Sequence, residues 1–367
     1  MTPSDAWLRL ALVSGIGPHL AARLEEASGG DLASVFSWDM HRLTSVDGIA
    51  SERARRICDP RGAAMVDEER GRCNQVGIRI LTRTDPEFPK DLARLPDPPL
   101  ALWVLGELQP RDRLAVAVVG PRNPTPYGHR CADRLAGGLA RIGATIVSGL
   151  ARGIDTVAHE AALNASGRTI AVLGSGHGRL YPAENAPLVA RIAAGHGAVI
   201  SELPYDGEAS PGTFPRRNRI VAGLSLATLV IEAGERSGSL ITARLAGELG
   251  RQVMVVPGPI DRPEHIGANR LIRDGAILIT SLEDVLTEIE PLATLAGAAP
   301  VREEPRAVQA LTERERALYR LLSDEVRDVD DLVASSGIQA SSVSATLLSL
   351  EMRRLARKMA GGYVKAG

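Results

Sequence analysis

The chain has 367 residues, too many for one ordinary domain, and 44% of them are hydrophobic, enough for a large core. Aromatic residues make up only 3%, so that core must be aliphatic, and a net charge of -1 excludes bulk basicity as an argument for nucleic acid. Any anion-binding function must come from local clustering of cations.

Residues 1–75 read as a helical module. Ala6 to Val13 is an apolar helix-forming run, broken by Ser14-Gly15-Ile16-Gly17-Pro18. His19 to Ala27 resumes helical spacing, with Leu20, Leu24 and Ala27 on one face. This is a helix-hairpin-helix (SAM-like) pattern, whose glycines let backbone N–H groups approach a phosphate. Val46-Asp47-Gly48-Ile49 is a weaker echo, lacking the second glycine. A small bundle in which these glycines only make turns fits equally, because Glu25, Glu26 and Asp47 lower the local positive charge.

From 76 to 290 short Val/Ile/Leu runs alternate with helical stretches. Strands are predicted near 78–81, 102–105, 115–119, 145–147, 169–173, 198–201, 226–231, 252–256 and 277–279. Helices are predicted over 127–142, 154–165, 184–194, 214–222, 239–249 and 266–273. Apolar strands alternating with helices specify an α/β fold: an extended Rossmann-like, doubly wound, mostly parallel sheet with helices on both faces. Ligands of such sheets bind outside the carboxyl ends of the strands.

Most predicted strand exits carry glycine: Gly120-Pro121-Arg122-Asn123, Ser148-Gly149-Leu150-Ala151-Arg152-Gly153, Gly174-Ser175-Gly176, Glu232-Ala233-Gly234 and Pro257-Gly258. Glycine admits a ligand close to backbone N–H groups, and Arg122 and Arg152 add charge at two exits. Phe214-Pro215-Arg216-Arg217-Asn218-Arg219 then sets three guanidinium groups beside one aromatic ring. Guanidinium forks match phosphate geometry, and a lone ring can stack on a base. A solvated helix start with Phe214 in the core is the alternative.

Residues 291–307 read as a linker, with Pro291, Gly297, Pro300 and Pro305 among alanines. Over 308–367 the pattern is three helices and a hairpin turning at Gly361-Gly362, a winged helix. Thr312 and Glu315 have the spacing of a capping box. The charges after Glu351 are Arg353, Arg354, Arg357, Lys358 and Lys365, all basic, which suits a wing on phosphates. The third helix offers Ser and Thr but no arginine to read bases, which suits protein contact.

Other chemistries find little support. Gly174-Ser175-Gly176-His177-Gly178-Arg179 is not G-x-G-x-x-G, and no P-loop motif is present, so no dinucleotide or ATP cofactor is expected. Neither the seven histidines nor Cys58, Cys73 and Cys131 show metal-ligand spacing, so no metal is expected and the thiols read as reduced, in a cytoplasmic protein. No run is long enough for a membrane helix. No catalytic residue is assigned. The rival reading is a phosphoribohydrolase-like nucleotide-binding enzyme or sensor using the same pocket, with Glu232 as acid or base.

Over roughly residues 80–285 these motifs, in order, resemble the DprA/Smf family, the DNA-processing protein of natural transformation. The residues that carry the resemblance are Gly120-Pro121-Arg122, Ser148 to Asp155 with Ala158-His159, Ala171 to Gly176 with Tyr181-Pro182, Ser201-Glu202, and Phe214 to Ile220. Ser237 to Ala243, Val256-Pro257-Gly258 and Gly267 to Ile272 complete the set. The resemblance implies a homodimeric protein that binds single-stranded DNA and helps load RecA, without turnover. The DNA-binding set it implies is Gly120, Arg122, Ser148, Gly149, Arg152, Gly153, Gly174, Phe214, Arg216, Arg217, Asn218 and Arg219. Arg122 would bind a phosphate and Phe214 would stack on a base; Asn218 would equally serve as a helix cap. The family often has Gly-Ser-Arg at the first exit. Pro121 removes an N–H and a hydroxyl, so one phosphate contact fewer is expected.

Overall fold

The computed structural model describes residues 1–298, 311–323, 326–353, 355–359 and 361–365. It divides into two compact units, one through residue 299 and one from 300.

Helices α1 (Pro3–Leu12), α2 (Pro18–Ala27), α3 (Met40–Thr44), α4 (Ser51–Ile57) and α5 (Gly62–Gln75) form the N-terminal module. The first starts earlier than its apolar run because Thr2 and Asp5 close a capping box. Trp7, Leu10, Leu24, Leu43 and Ile57 share one small core. Both hairpins are present, and arginines tie them together: Arg53 donates to the carbonyls of Gly15 and Gly48, and Arg56 to that of Ser14.

A nine-stranded sheet follows: β1 (Ile78–Thr82), β2 (Ala101–Gly106), β3 (Ala115–Val119), β4 (Thr145–Ser148), β5 (Arg168–Val172), β6 (Gly197–Ser201), β7 (Ala227–Val230), β8 (Gln252–Val255) and β9 (Ile277–Leu278). Its order is β1-β2-β6-β5-β4-β3-β7-β8-β9. The strands from β6 to β9 are parallel, while β2 lies antiparallel to β6 and β1 to β2. Side chains alternate between two cores. Val116 and Val118 face one, Ala115, Ala117 and Val119 the other. A short helix, α6 (Lys90–Ala93), lies between β1 and β2 and buries Leu92 in the second core. The first core is closed by α7 (Pro126–Arg141) and α8 (Ile154–Asn164), the second by α10 (Thr213–Gly223), α11 (Ser239–Glu248) and α12 (Ile266–Arg273). The helix expected over 184–194 is shorter, α9 (Ala186–Arg191) with a π turn over Ile192–His196. Pro187 fixes its first turn, and Gly195, at φ +98°, ends it.

Two departures concern the segment after the sheet. Ser281 and Asp284 cap α13 (Leu282–Glu288) with a capping box. Helix α14 (Glu290–Ala298) then occupies the start of the expected linker, because Pro291 suits a first helical turn and Leu292 is fully buried in the first core. Linker positions 299–307 lie outside the described residues.

The second unit contains helices Glu313–Leu321, Val329–Ser336 and Ala340–Met352 and a hairpin of Ala356–Met359 with Gly362–Lys365. Thr312 and Glu315 close the expected capping box, and Gly337 takes the left-handed conformation after the second helix. Arg327 forms an isolated antiparallel bridge with Tyr363 beside this hairpin. Arg354 lies outside the described residues. No helix among the described residues is long and apolar enough to cross a membrane.

Candidate nucleic-acid interface

The chain runs β3, β4, β5, β6 outward and then crosses back to place β7 on the other side of β3. That reversal leaves a crevice beyond the carboxyl ends of β3 and β7. Val119 pairs with Val230, so the two strands end level. A cleft of about 560 Å³ opens there, and its walls come mainly from the exits of β3, β4 and β7 and from one face of α10. It is lined by Gly120, Arg122 and Asn123, by Gly149 and Asp155, by Phe214, Arg217 and Asn218, and by Glu232, Arg236, Ser239 and Thr242. The lip beside Phe214 adds Arg152, Tyr181 and Pro182.

Close approach of backbone makes this geometry possible. A Cβ on Gly149 would come within 2.5 Å of the Arg217 guanidinium, and one on Gly174 within 2.6 Å of the Phe214 ring. Gly153 sits at φ +75° and brings the second exit against the carbonyls of Pro121 and Arg122, an arrangement closed to side chains with a Cβ. Asp155 fixes the same loop from below, accepting the N–H groups of Gly149 and Ala151. Burial raises its pKa, against the opposing pull of Arg217.

The four central cations divide sharply. Arg122 is exposed, pairs with no carboxylate among the described residues, and lies 5.5 Å over the Phe214 ring. Phe214 is half-buried, and its other neighbour is Tyr181, with ring centroids 5.6 Å apart. Arg217 is buried under the cleft, donating to the carbonyls of Gly149 and Val172 and through Nε to Asn218. Burial pulls its pKa down to about 10, opposed by the Asp155 carboxylate. Arg219 is buried and points away from the cleft, held by Glu202, Asp97 and the carbonyl of Arg216. Arg216 is exposed but also turns to Glu202, at 3.2 Å.

The expected site is therefore only partly assembled in space. Gly120, Arg122, Gly149, Phe214, Arg217 and Asn218 line the cleft, and Arg152 stands on its lip, paired with Glu184. Gly153 and Gly174 shape it from behind. Ser148, Arg216 and Arg219 do not line it: the Ser148 hydroxyl donates to the carbonyl of Val118, and the two arginines face Glu202 because α10 turns them to its other side. Asn218 does not cap α10; Gly212 occupies the cap position. Several cleft residues stand outside the DNA-binding set expected from sequence, Arg236 and Thr242 among them. Arg236 is exposed without an ion pair among the described residues, and Thr242 is buried. The readable signal for Arg236 is a cation between Gly234 and Gly238 at a strand exit.

Glu232 lines the cleft but is fully buried, and its carboxylate accepts both the backbone N–H and the hydroxyl of Thr125, the residue that caps α7. Asp155 and His159 do not pair. His159 is buried against Thr169, and burial lowers its pKa to about 3. No group of side chains able to hold a metal occurs among the described residues.

A family model for DNA recombination-mediator protein A matches residues 79–290. The chain belongs to this family, DprA/Smf. Models for the DprA winged helix domain and for a SAM-like helix-hairpin-helix tandem match residues 302–362 and 8–59. The chain is 35% identical to Protein Smf of Escherichia coli over 374 residues, covering 100% of this chain and 96% of that protein. It is 40% identical to the DNA processing protein DprA of Bacillus subtilis over 214 residues, covering 58% of this chain and 72% of that protein. The crystal structure of DNA processing protein A from Streptococcus pneumoniae superposes with a TM-score of 0.68 at 33% identity, covering 79% of this chain and 99% of that one. DNA processing protein A from Helicobacter pylori, whose structure concerns its single-stranded DNA binding mode, gives 0.52 at 33% identity and covers 58% of this chain and 96% of that one.

Proposed function

We propose that this DprA-family chain is a non-catalytic single-stranded DNA-binding protein of DNA uptake, which protects the incoming strand and delivers it to RecA. The observation that carries the DNA-binding part is Arg122, unpaired among the described residues and set over the Phe214 ring at the mouth of the switch-point cleft. A phosphate on Arg122 and a base on Phe214 satisfy both groups at once. Arg236, at the exit of β7, supplies a second cation with no ion pair among the described residues. Of the three acids on the cleft, Asp155 and Glu232 are spent on backbone N–H groups, which leaves Glu264 at the rim. The single-stranded DNA binding mode of the Helicobacter pylori relative supports the same reading. The homodimeric state and the hand-over to RecA rest on family membership alone. A cytoplasmic site of action follows from the same proposal.

The absence of turnover belongs to the proposal too, and the engagement of Glu232 with Thr125 supports it. A base-specific reader is not expected, because the cleft offers one ring and guanidinium groups rather than an array of amide side chains. Anisotropy titrations with single-stranded and duplex oligonucleotides test binding: tight, salt-sensitive binding of the single strand is expected, and equal affinity for duplex would overturn it. Incubation with nucleoside monophosphates tests turnover, and release of free base would establish the enzyme reading instead.

A further inference from the structure

The N-terminal module contributes no residue to the cleft, yet a chain of hydrogen bonds runs from a buried carboxylate on its last helix to the strip of backbone under Phe214. It starts at Glu69 on α5, which is only 7% exposed. One carboxylate oxygen accepts the indole N–H of Trp103 at 2.8 Å and the backbone N–H of Tyr205 at 2.7 Å. Tyr205 lies in the loop from β6 to α10, the loop that delivers Phe214.

From Tyr205 the chain continues into the exit of β5. The N–H of Gly178 donates to the Tyr205 carbonyl at 2.8 Å, and the N–H of Gly176 to the Gly207 carbonyl at 2.7 Å. His177 donates to the Trp103 carbonyl, so Trp103 holds both Glu69 and this exit. The two loops interlock without slack: a Cβ on Gly178 would come within 2.5 Å of the Tyr205 ring. The other end of the same strip is Gly174, which lies flat against Phe214. An exposed ion pair, Arg72 with Asp206, flanks the buried carboxylate.

We infer that Glu69 is a positioning residue for the single-strand site, setting through Tyr205 and the Gly174–Gly178 strip where Phe214 stands. The inference rests on the proposed DNA-binding reading. A buried carboxylate with two N–H donors is a strong, directional anchor, and no other acidic side chain among the described residues accepts from the 203–207 backbone. Its removal frees that loop to shift relative to β5, which moves the ring and leaves Arg122 on its own exit untouched. Stacking on the base therefore fails while the grip on phosphate is kept.

The test compares affinities for an oligothymidine and for an abasic strand of equal length. Wild type is expected to prefer the base-bearing strand, and Phe214→Ala to lose that preference. Glu69→Ala is expected to weaken oligothymidine binding about fivefold and to leave the abasic strand within about twofold. Added to Phe214→Ala it should change nothing further. Leu24→Ala, a destabilising change in the same module far from this chain of bonds, should leave the preference intact. If Glu69→Ala does not fold, Glu69→Gln takes its place, with a fall in preference of at least about twofold expected. Wild type failing to bind either strand would sink the DNA-binding reading itself. A preference that Phe214→Ala removes and the Glu69 variant keeps, or that Leu24→Ala lowers equally, would overturn this inference alone.

Discussion

Gly174→Ala is a small change with a calculable effect on the cleft. Its new methyl would lie 2.6 Å from Cδ1 and 2.9 Å from Cε1 of Phe214. Carbon atoms rest about 3.5–4.0 Å apart, so the ring must retreat by about 1 Å. Gly174 is not among the residues with positive φ, so alanine adopts its backbone without strain. Phe214 is half-buried and borders the cleft, so the ring tips outward rather than forcing the sheet apart. Overpacking of this kind costs stability about 1–3 kcal/mol, and here the lower end applies. The larger effect falls on binding. A base stacked on an aromatic ring contributes about 1–3 kcal/mol, and a displaced ring forfeits about half of it. That half, about 0.5–1.5 kcal/mol, is a loss of affinity of about two- to tenfold. Anisotropy titration with a labelled oligothymidine measures the loss, and thermal unfolding by circular dichroism measures the stability. Unchanged affinity in a folded variant would refute the assignment of Phe214 as a base platform.

The other arginines and the buried acids give further tests. Arg219→Ala leaves Glu202 without its buried partner and should cost about 3 kcal/mol of stability, read by denaturant titration, whereas Arg216→Ala should cost less than about 1 kcal/mol. Glu232→Gln weakens the charge-assisted latch on Thr125 and should lower stability by about 1–3 kcal/mol in unfolding curves while single-strand affinity stays within about threefold. His159 gives a pH signature. Thr169 donates to the carbonyl of Ile146 and so accepts from Nδ1, which leaves a bare, buried Nε2. Its folded pKa of about 3 lies below the ordinary histidine value of 6.5, so the unfolded chain takes up the proton first. Stability from this group is complete above about pH 6.5 and is lost progressively toward pH 3. His159→Gln should flatten that slope in unfolding curves taken across the range; an unchanged slope would contradict the burial of a neutral imidazole.

Much of the architecture is legible in the residues, because strand burial leaves a direct mark. Runs such as Ala115–Val119 and Gly197–Ser201 are buried at every position and read as unbroken apolar stretches. Helix α14 is not legible, since its proline and alanines look alike in a linker and in a first helical turn; only packing of Leu292 decides between them. Within the site, Arg122 is readable because it sits at a strand exit, a position that topology alone sends to the ligand edge. The fates of Arg216, Arg217 and Arg219 are not, because consecutive helical residues point about a quarter-turn apart and Glu202 arrives from another strand. Arg236 is hidden for the opposite reason: it is a lone cation in a loop, and only the fold brings it to the same cleft as Arg122.

Everything proposed for the cleft depends on the free cation at the first exit gripping the backbone of a single strand. Its most direct test is the salt dependence of oligothymidine binding for wild type and Arg122→Ala. The variant is expected to bind more weakly, with the slope of log affinity against log salt reduced by about 0.7, the share of one phosphate no longer neutralised. A variant that binds as tightly as wild type, with the same slope, would contradict that grip.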